Sequence, residues 1–110
     1  MSEHSGNDGE IVVIGRFETT PETIEGVRDA LLTMQEASRA EKGCQDYTFS
    51  VELGDPAIVR LSERWDDEAS LLAHFATPHM AEFRAALEGQ AHWHGDVHFF
   101  AAAEVPRPGS

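Results

Sequence analysis

Residues Glu41–Phe83 read EKGCQDYTFSVELGDPAIVRLSERWDDEASLLAHFATPHMAEF. They contain two alternating apolar runs, the turn that joins them, and a helical stretch carrying two histidines five positions apart. Tyr47, Phe49, Val51 and Leu53 alternate with Thr48, Ser50 and Glu52, the period of two expected of a strand running from about Cys44 to Leu53. Gly54, Asp55 and Pro56 predict a turn, and Ala57 to Trp65 a second strand. On that strand Val59, Leu61, Glu63 and Trp65 share one face, with Ile58, Arg60, Ser62 and Arg64 on the other. The pair reads as an antiparallel hairpin. Asp66 or Asp67 can cap the helix that follows. Thr77-Pro78 interrupts it, because proline lacks the N–H of the helical ladder and crowds the preceding turn. Two helical pieces are expected, over 67–76 and 78–89.

Upstream, Ile11 to Phe17 (IVVIGRF) predicts a first strand with apolar residues on both faces. Gly15 within it permits close approach of neighbouring backbone. Thr20 as cap and Pro21 at the first helical position start a helix whose apolar stripe is Ile24, Val27, Leu31 and Met34. It is expected to end near Lys42-Gly43, where glycine can turn left-handed. Downstream, a last strand is expected within residues 91–104, with Trp93, Val97 and Phe99 opposite His92, His94, Asp96, His98 and Phe100.

The order strand, helix, strand, strand, helix, strand is the split βαβ arrangement of an α+β ferredoxin-like domain with a four-stranded antiparallel sheet. Its helices cover one sheet face. The apolar residues on both faces predict that a second copy of the chain covers the other, so a homodimer is expected.

The 110 residues allow one domain, read as residues 10–105, between a disordered arm over 1–9 and a loose tail over 106–110. Eight Lys and Arg face twenty Asp and Glu, a formal charge of -12. That balance argues against nucleic acid and anionic membrane as partners. The single Cys44 excludes an internal disulfide framework. With no export signal and no membrane-length apolar run, a cytoplasmic location is expected.

Several pieces in this order resemble the antibiotic biosynthesis monooxygenase family of the dimeric alpha-beta barrel superfamily. They are IVVIGRF, Glu41-Lys42-Gly43-Cys44 leading to Tyr47, Ser62-Glu63-Arg64-Trp65, Glu68-Ala69 leading to His74-Phe75, and Thr77-Pro78-His79 with Phe83. The resemblance covers roughly residues 10–104. It implies a homodimer of ferredoxin-like protomers, each with a cavity between sheet and helices. It is nearest in character to cofactor-independent members that oxidise quinols or polycyclic aromatics. Haem-degrading members use an asparagine on the first strand, and IVVIGRF has none, so haem chemistry is not expected.

Within that frame His74 is the candidate catalytic base. A neutral imidazole suits proton abstraction from a phenol at neutral pH, and the resulting anion can react with oxygen without cofactor or metal. Trp65, Tyr47, Phe75, His79 and Arg64 are the candidate substrate-binding residues for a small aromatic or quinol-like molecule. The alternatives are a non-oxygenase binding or isomerising protein of the same fold, or a dimeric domain with structural histidines. On one ideal helix His74 and His79 point about 140° apart, so only a break at Pro78 can bring them together, and spacing alone does not support a metal site. His92 and His98 lie about 20 Å apart along a strand, too far to share an ion. Arg16, Arg60 and Arg64 are expected in ion pairs, with Glu52 and Glu63 available. Cys44 reads as a small buried hydrophobe.

Overall fold

The structure is a computed structural model and describes residues 9–109. The arm expected over 1–9 falls, apart from Gly9, outside the described residues. The elements are β1 (Glu10–Glu18), α1 (Pro21–Arg39), β2 (Cys44–Glu52), β3 (Asp55–Trp65), α2 (Glu68–Phe75), α3 (Pro78–Leu87) and β4 (His94–Ala102). The sheet order is β2-β3-β1-β4, with every neighbouring pair antiparallel. This is the ferredoxin-like arrangement expected from the order of the sequence patterns. Residues 103–107 continue beyond β4 without helix or strand.

The caps form as their residue types dictate. The Thr20 hydroxyl accepts from the Thr23 N–H at 3.0 Å, with Pro21 at the first helical position. Asp67 receives the Ser70 N–H at 2.8 Å and starts α2. The α1 stripe Ile24, Val27, Leu31 and Met34 is buried against the sheet, as its spacing predicts. The hairpin turn sits one position earlier than expected. Glu52 pairs with Asp55, so Leu53-Gly54 is a two-residue turn, and Leu53 is fully exposed rather than the last inward residue of β2. Pro56 fits at the start of β3 because the β1 partners reach only to Ile58, and its missing N–H breaks no ladder with that strand.

Directly opposed residues point to the same side of a sheet, so the register orders the inner face. One row runs Tyr47, Glu63, Val13, Phe99, and the next runs Phe49, Leu61, Gly15, Val97. A Cβ at Gly15 would stand 3.1 Å from the Leu61 Cβ, which explains a glycine in mid-strand. Trp93 precedes β4 and stacks on Phe17, with centroids 5.1 Å apart. The outer face carries Val12, Ile14, His98, Phe100 and Arg64. Ile14 is 44% and Phe100 51% exposed.

Gly43 sets the path from α1 into β2. Its φ is +86°, a left-handed backbone that glycine alone adopts without strain, and an added Cβ would overlap the Ser70 side chain. Its carbonyl accepts the Asp66 N–H at 2.8 Å, tying this turn to the start of the α2 region. Gly43→Ala is expected to lower the unfolding free energy by about 1–3 kcal/mol, read by urea denaturation. An unchanged midpoint would mean the turn is not held in this conformation.

Candidate active site

Glu41, in the turn Gly43 terminates, is the centre of the site. α2 ends at Phe75 with His74 in its last turn, and the Thr77 side chain manages the break. Its hydroxyl donates to the His74 carbonyl at 2.8 Å and accepts the Met80 N–H at 3.2 Å, closing one helix while capping the next. Pro78 then occupies the first position of α3. The change of axis brings the two rings to 6.0 Å between centroids. The divergence expected of a continuous helix therefore does not occur.

The two imidazoles converge on one oxygen. His74 Nδ1 and His79 Nε2 each lie 2.6 Å from Glu41 Oε2. The side chains of His74, Glu41 and His79 are 0%, 13% and 18% exposed, so the cluster runs from core to rim. Both N–H groups donate to the one carboxylate oxygen, short charge-assisted bonds. The three ligand atoms lie within 4.8 Å of one another, and these residue types are competent metal ligands. The spacing is nonetheless that of hydrogen bonds. Around a tetrahedral zinc, bonds of about 2.0 Å separate ligand atoms by about 3.3 Å, so an ion would have to push Glu41 away from both rings.

With Nδ1 donating to Glu41, His74 keeps its bare nitrogen at Nε2, and that atom is buried with no hydrogen-bond partner. Burial pushes the pKa of His74 down, with the His79 and Arg84 charges adding to it, against the pull of Glu41. The ring is caged by aromatics: Trp65 at 4.8 Å, Tyr47 at 5.5 Å and Phe75 at 6.0 Å between centroids. Trp65 and Tyr47 are fully buried. Phe75 is 36% exposed and leans edge-on against Phe99 on the same inner face. Tyr47 is held as the neutral phenol by burial and by the Glu63, Cys44 and Glu41 charges. The Arg39 Nε–H donates to its carbonyl at 2.8 Å, fastening the end of α1 to β2.

Glu63 departs from expectation. It is not an arginine partner: Arg60 pairs with Glu52, Arg16 with Glu18, and Arg64 with Glu10 and Glu104. Glu63 is 6% exposed and accepts the Trp65 indole N–H at 2.8 Å. Burial raises its pKa to about 7, the indole bond opposes this, and the Glu41 charge adds to it.

The structure thus gathers His74, Trp65, Tyr47 and Phe75, and links His79 to them through Glu41. His79 itself faces a groove of about 250 Å³ between α1 and α3, lined also by Asp29, Thr33, Met34 and Phe83. Arg64 does not join them. Strand alternation places it on the sheet face opposite Trp65, held at 2.7 Å by Glu10 and at 2.9 Å by Glu104. The β4 histidines do not converge either: His94 bonds the Ala91 carbonyl at 2.9 Å, and exposed His98 approaches Asp96 at 3.4 Å. The Cys44 thiol, raised to about 11 mainly by burial, is no nucleophile at neutral pH. Two site residues escaped the sequence reading. Glu63 had a signal, a charge between Leu61 and Trp65 on an apolar strand face. Glu41 opens one of the pieces that carry the family resemblance, but nothing local placed it beside His74, 33 positions on.

Fold and site together define an α+β ferredoxin-like domain with one bare sheet face and a buried histidine in an aromatic cage behind the other. The chain belongs to the antibiotic biosynthesis monooxygenase family, whose sequence pattern matches residues 10–86. It is 35% identical over 78 residues to the uncharacterized protein sll1783 of Synechocystis, covering 71% of this chain but 53% of that one, about half its length. It is 33% identical over 75 residues to Rv0793 of Mycobacterium tuberculosis, a proposed monooxygenase, covering 68% of this chain and 73% of that one. The structure of Rv0793 superposes with a TM-score of 0.77 at 26% identity, covering 88% of this chain and 98% of that one. A conserved protein of Methanosarcina mazei superposes with a TM-score of 0.78 at 25% identity, covering 87% and 95%. No helix among the described residues is long and apolar enough to cross a membrane.

Proposed function

We propose that the protein is a cofactor-independent monooxygenase that oxidises a quinol or hydroxylated aromatic, with His74 as the base. The observation that carries this reading is His74 Nε2, a buried acceptor without a donor among aromatic side chains. An unmet buried acceptor costs about 1–3 kcal/mol, and a phenolic O–H supplies the missing donor while its ring packs on Trp65 and Tyr47. Glu41 fixes the tautomer that presents the lone pair, and His79 holds Glu41 from the other side. Phe75, packed edge-on against Phe99, is the cage residue that reaches solvent. Deprotonation yields an electron-rich anion that dioxygen can oxidise. For a hydroquinone the balance is one quinol plus one dioxygen to one hydroxyquinone plus one water.

The active form is a homodimer in this reading. Ile14 and Phe100 on the bare sheet face supply apolar surface for a second copy. Oxygen uptake with a panel of hydroquinones tests the activity. One dioxygen should be consumed per quinol, and His74→Gln should lose about 100- to 10,000-fold with its circular dichroism unchanged. Aromatic binding without oxygen uptake sinks the oxygenase reading, and a fully active His74→Gln sinks the base. Light scattering should give twice the mass of the chain, and a stable monomer removes the dimer.

A further inference from the structure

Glu63 is the buried ionisable group that this chemistry leaves unused. It sits on the core face of β3 with its cation-free carboxyl on the Trp65 indole. Its register partner across the hairpin is Tyr47. His74 packs on the ring of Trp65 and on that of Tyr47. His74 and Glu63 therefore address the same aromatic pair. Around them the ionisable groups are Glu41 from the α1–β2 turn, Cys44 and Tyr47 from β2, and His79 and Arg84 from α3. A carboxyl kept from water without a cation is costly, and such groups concentrate where a proton is to be given or taken. One environment favours a neutral base and the other a neutral acid, the pattern of an acid–base pair.

We infer that Glu63 is the acid partner of His74, a carboxylic acid that protonates the reduced oxygen and then takes the ring-carbon proton. The inference rests on the oxygenase reading above. His74 Nε2 takes the phenolic proton, and a bond forms between a ring carbon and dioxygen, which accepts the electrons of the anion. The Glu63 proton converts the peroxide anion to a hydroperoxide. The Glu63 carboxylate then removes the hydrogen on that carbon. The O–O bond breaks, the carbon becomes a carbonyl, and hydroxide leaves. Hydroxide takes the proton held by His74 and departs as water, and both residues return to their starting states. The Trp65 indole bond occupies Glu63 Oε1, which leaves Oε2 to carry the proton.

Glu63→Gln keeps the shape and the indole acceptor but has no acid proton. It is expected to lower kcat for hydroquinone oxidation at least 100-fold with KM within threefold, and to remove the limb of the pH–rate profile near neutrality. Glu63→Asp should restore that limb in part. A readout independent of turnover is Trp65 emission in a Trp93→Phe background. It should titrate near neutral pH with Glu63 present and stay flat with Glu63→Gln. Wild-type oxygen uptake with an unimpaired Glu63→Gln, or Trp65 emission flat from pH 5 to 9, overturns this inference alone. A wild type that consumes no oxygen overturns both readings.

Discussion

Glu41→Ala is expected to lower the unfolding free energy by about 2–4 kcal/mol, measured by denaturant titration at pH 7. Truncation leaves two imidazole N–H groups without the oxygen they share at 2.6 Å. For His74 the loss is complete, because its side chain has no contact with solvent, whereas His79 at the rim can recruit water. Glu41→Gln keeps an acceptor oxygen and should lose less. It also removes the charge that stabilises His74 when it holds a proton, so it should depress oxygen uptake more than it depresses stability. If Glu41→Ala unfolds at the wild-type denaturant concentration, the shared carboxylate is not what holds α2, α3 and the α1–β2 turn together.

The second large effect lies in pH dependence. Glu63 rises from 4.5 to about 7 in the folded state, chiefly through burial. A raised pKa means that the folded chain binds the proton more tightly than the unfolded chain. The stability from this group is therefore full below about 4.5 and falls as pH rises, to be lost once pH exceeds about 7. The size is about 3 kcal/mol. His74 acts in the opposite sense: its pKa is lowered, so stability is lost as pH falls below the ordinary histidine value. The difference between Glu63→Gln and wild type isolates the carboxyl. The variant should gain about 3 kcal/mol on wild type between pH 4 and pH 8, read by urea denaturation across that range. A difference constant to within about 0.5 kcal/mol would mean that Glu63 titrates as an exposed carboxyl does.

Much of this architecture was legible locally because its causes are local. Thr20-Pro21 starts α1 with a hydroxyl and a preset φ, and the alternation from Tyr47 to Val51 and from Val59 to Trp65 orients both strands. Thr77-Pro78 marks the helix break. The turn lies at Leu53-Gly54, one position before the one expected, because Gly54, Asp55 and Pro56 all favour turns. The pairing of Glu52 with Asp55 chose among them. Glu63 stands on the apolar face of its strand in the sequence itself, where charge pairing alone predicts an arginine partner. The register instead gives each strand arginine a nearer carboxylate on the outer face or at the strand ends.

By itself the sequence determined the order of elements, the alternation of the two hairpin strands, the break between α2 and α3, and the family. Each follows from side-chain period or backbone chemistry within a few residues. Tertiary structure alone decided that His74 and His79 share Glu41 and that His74 Nε2 is left without a donor. Those facts depend on the angle at which α3 leaves Thr77 and on where the α1–β2 turn lies against it. Long-range packing sets both.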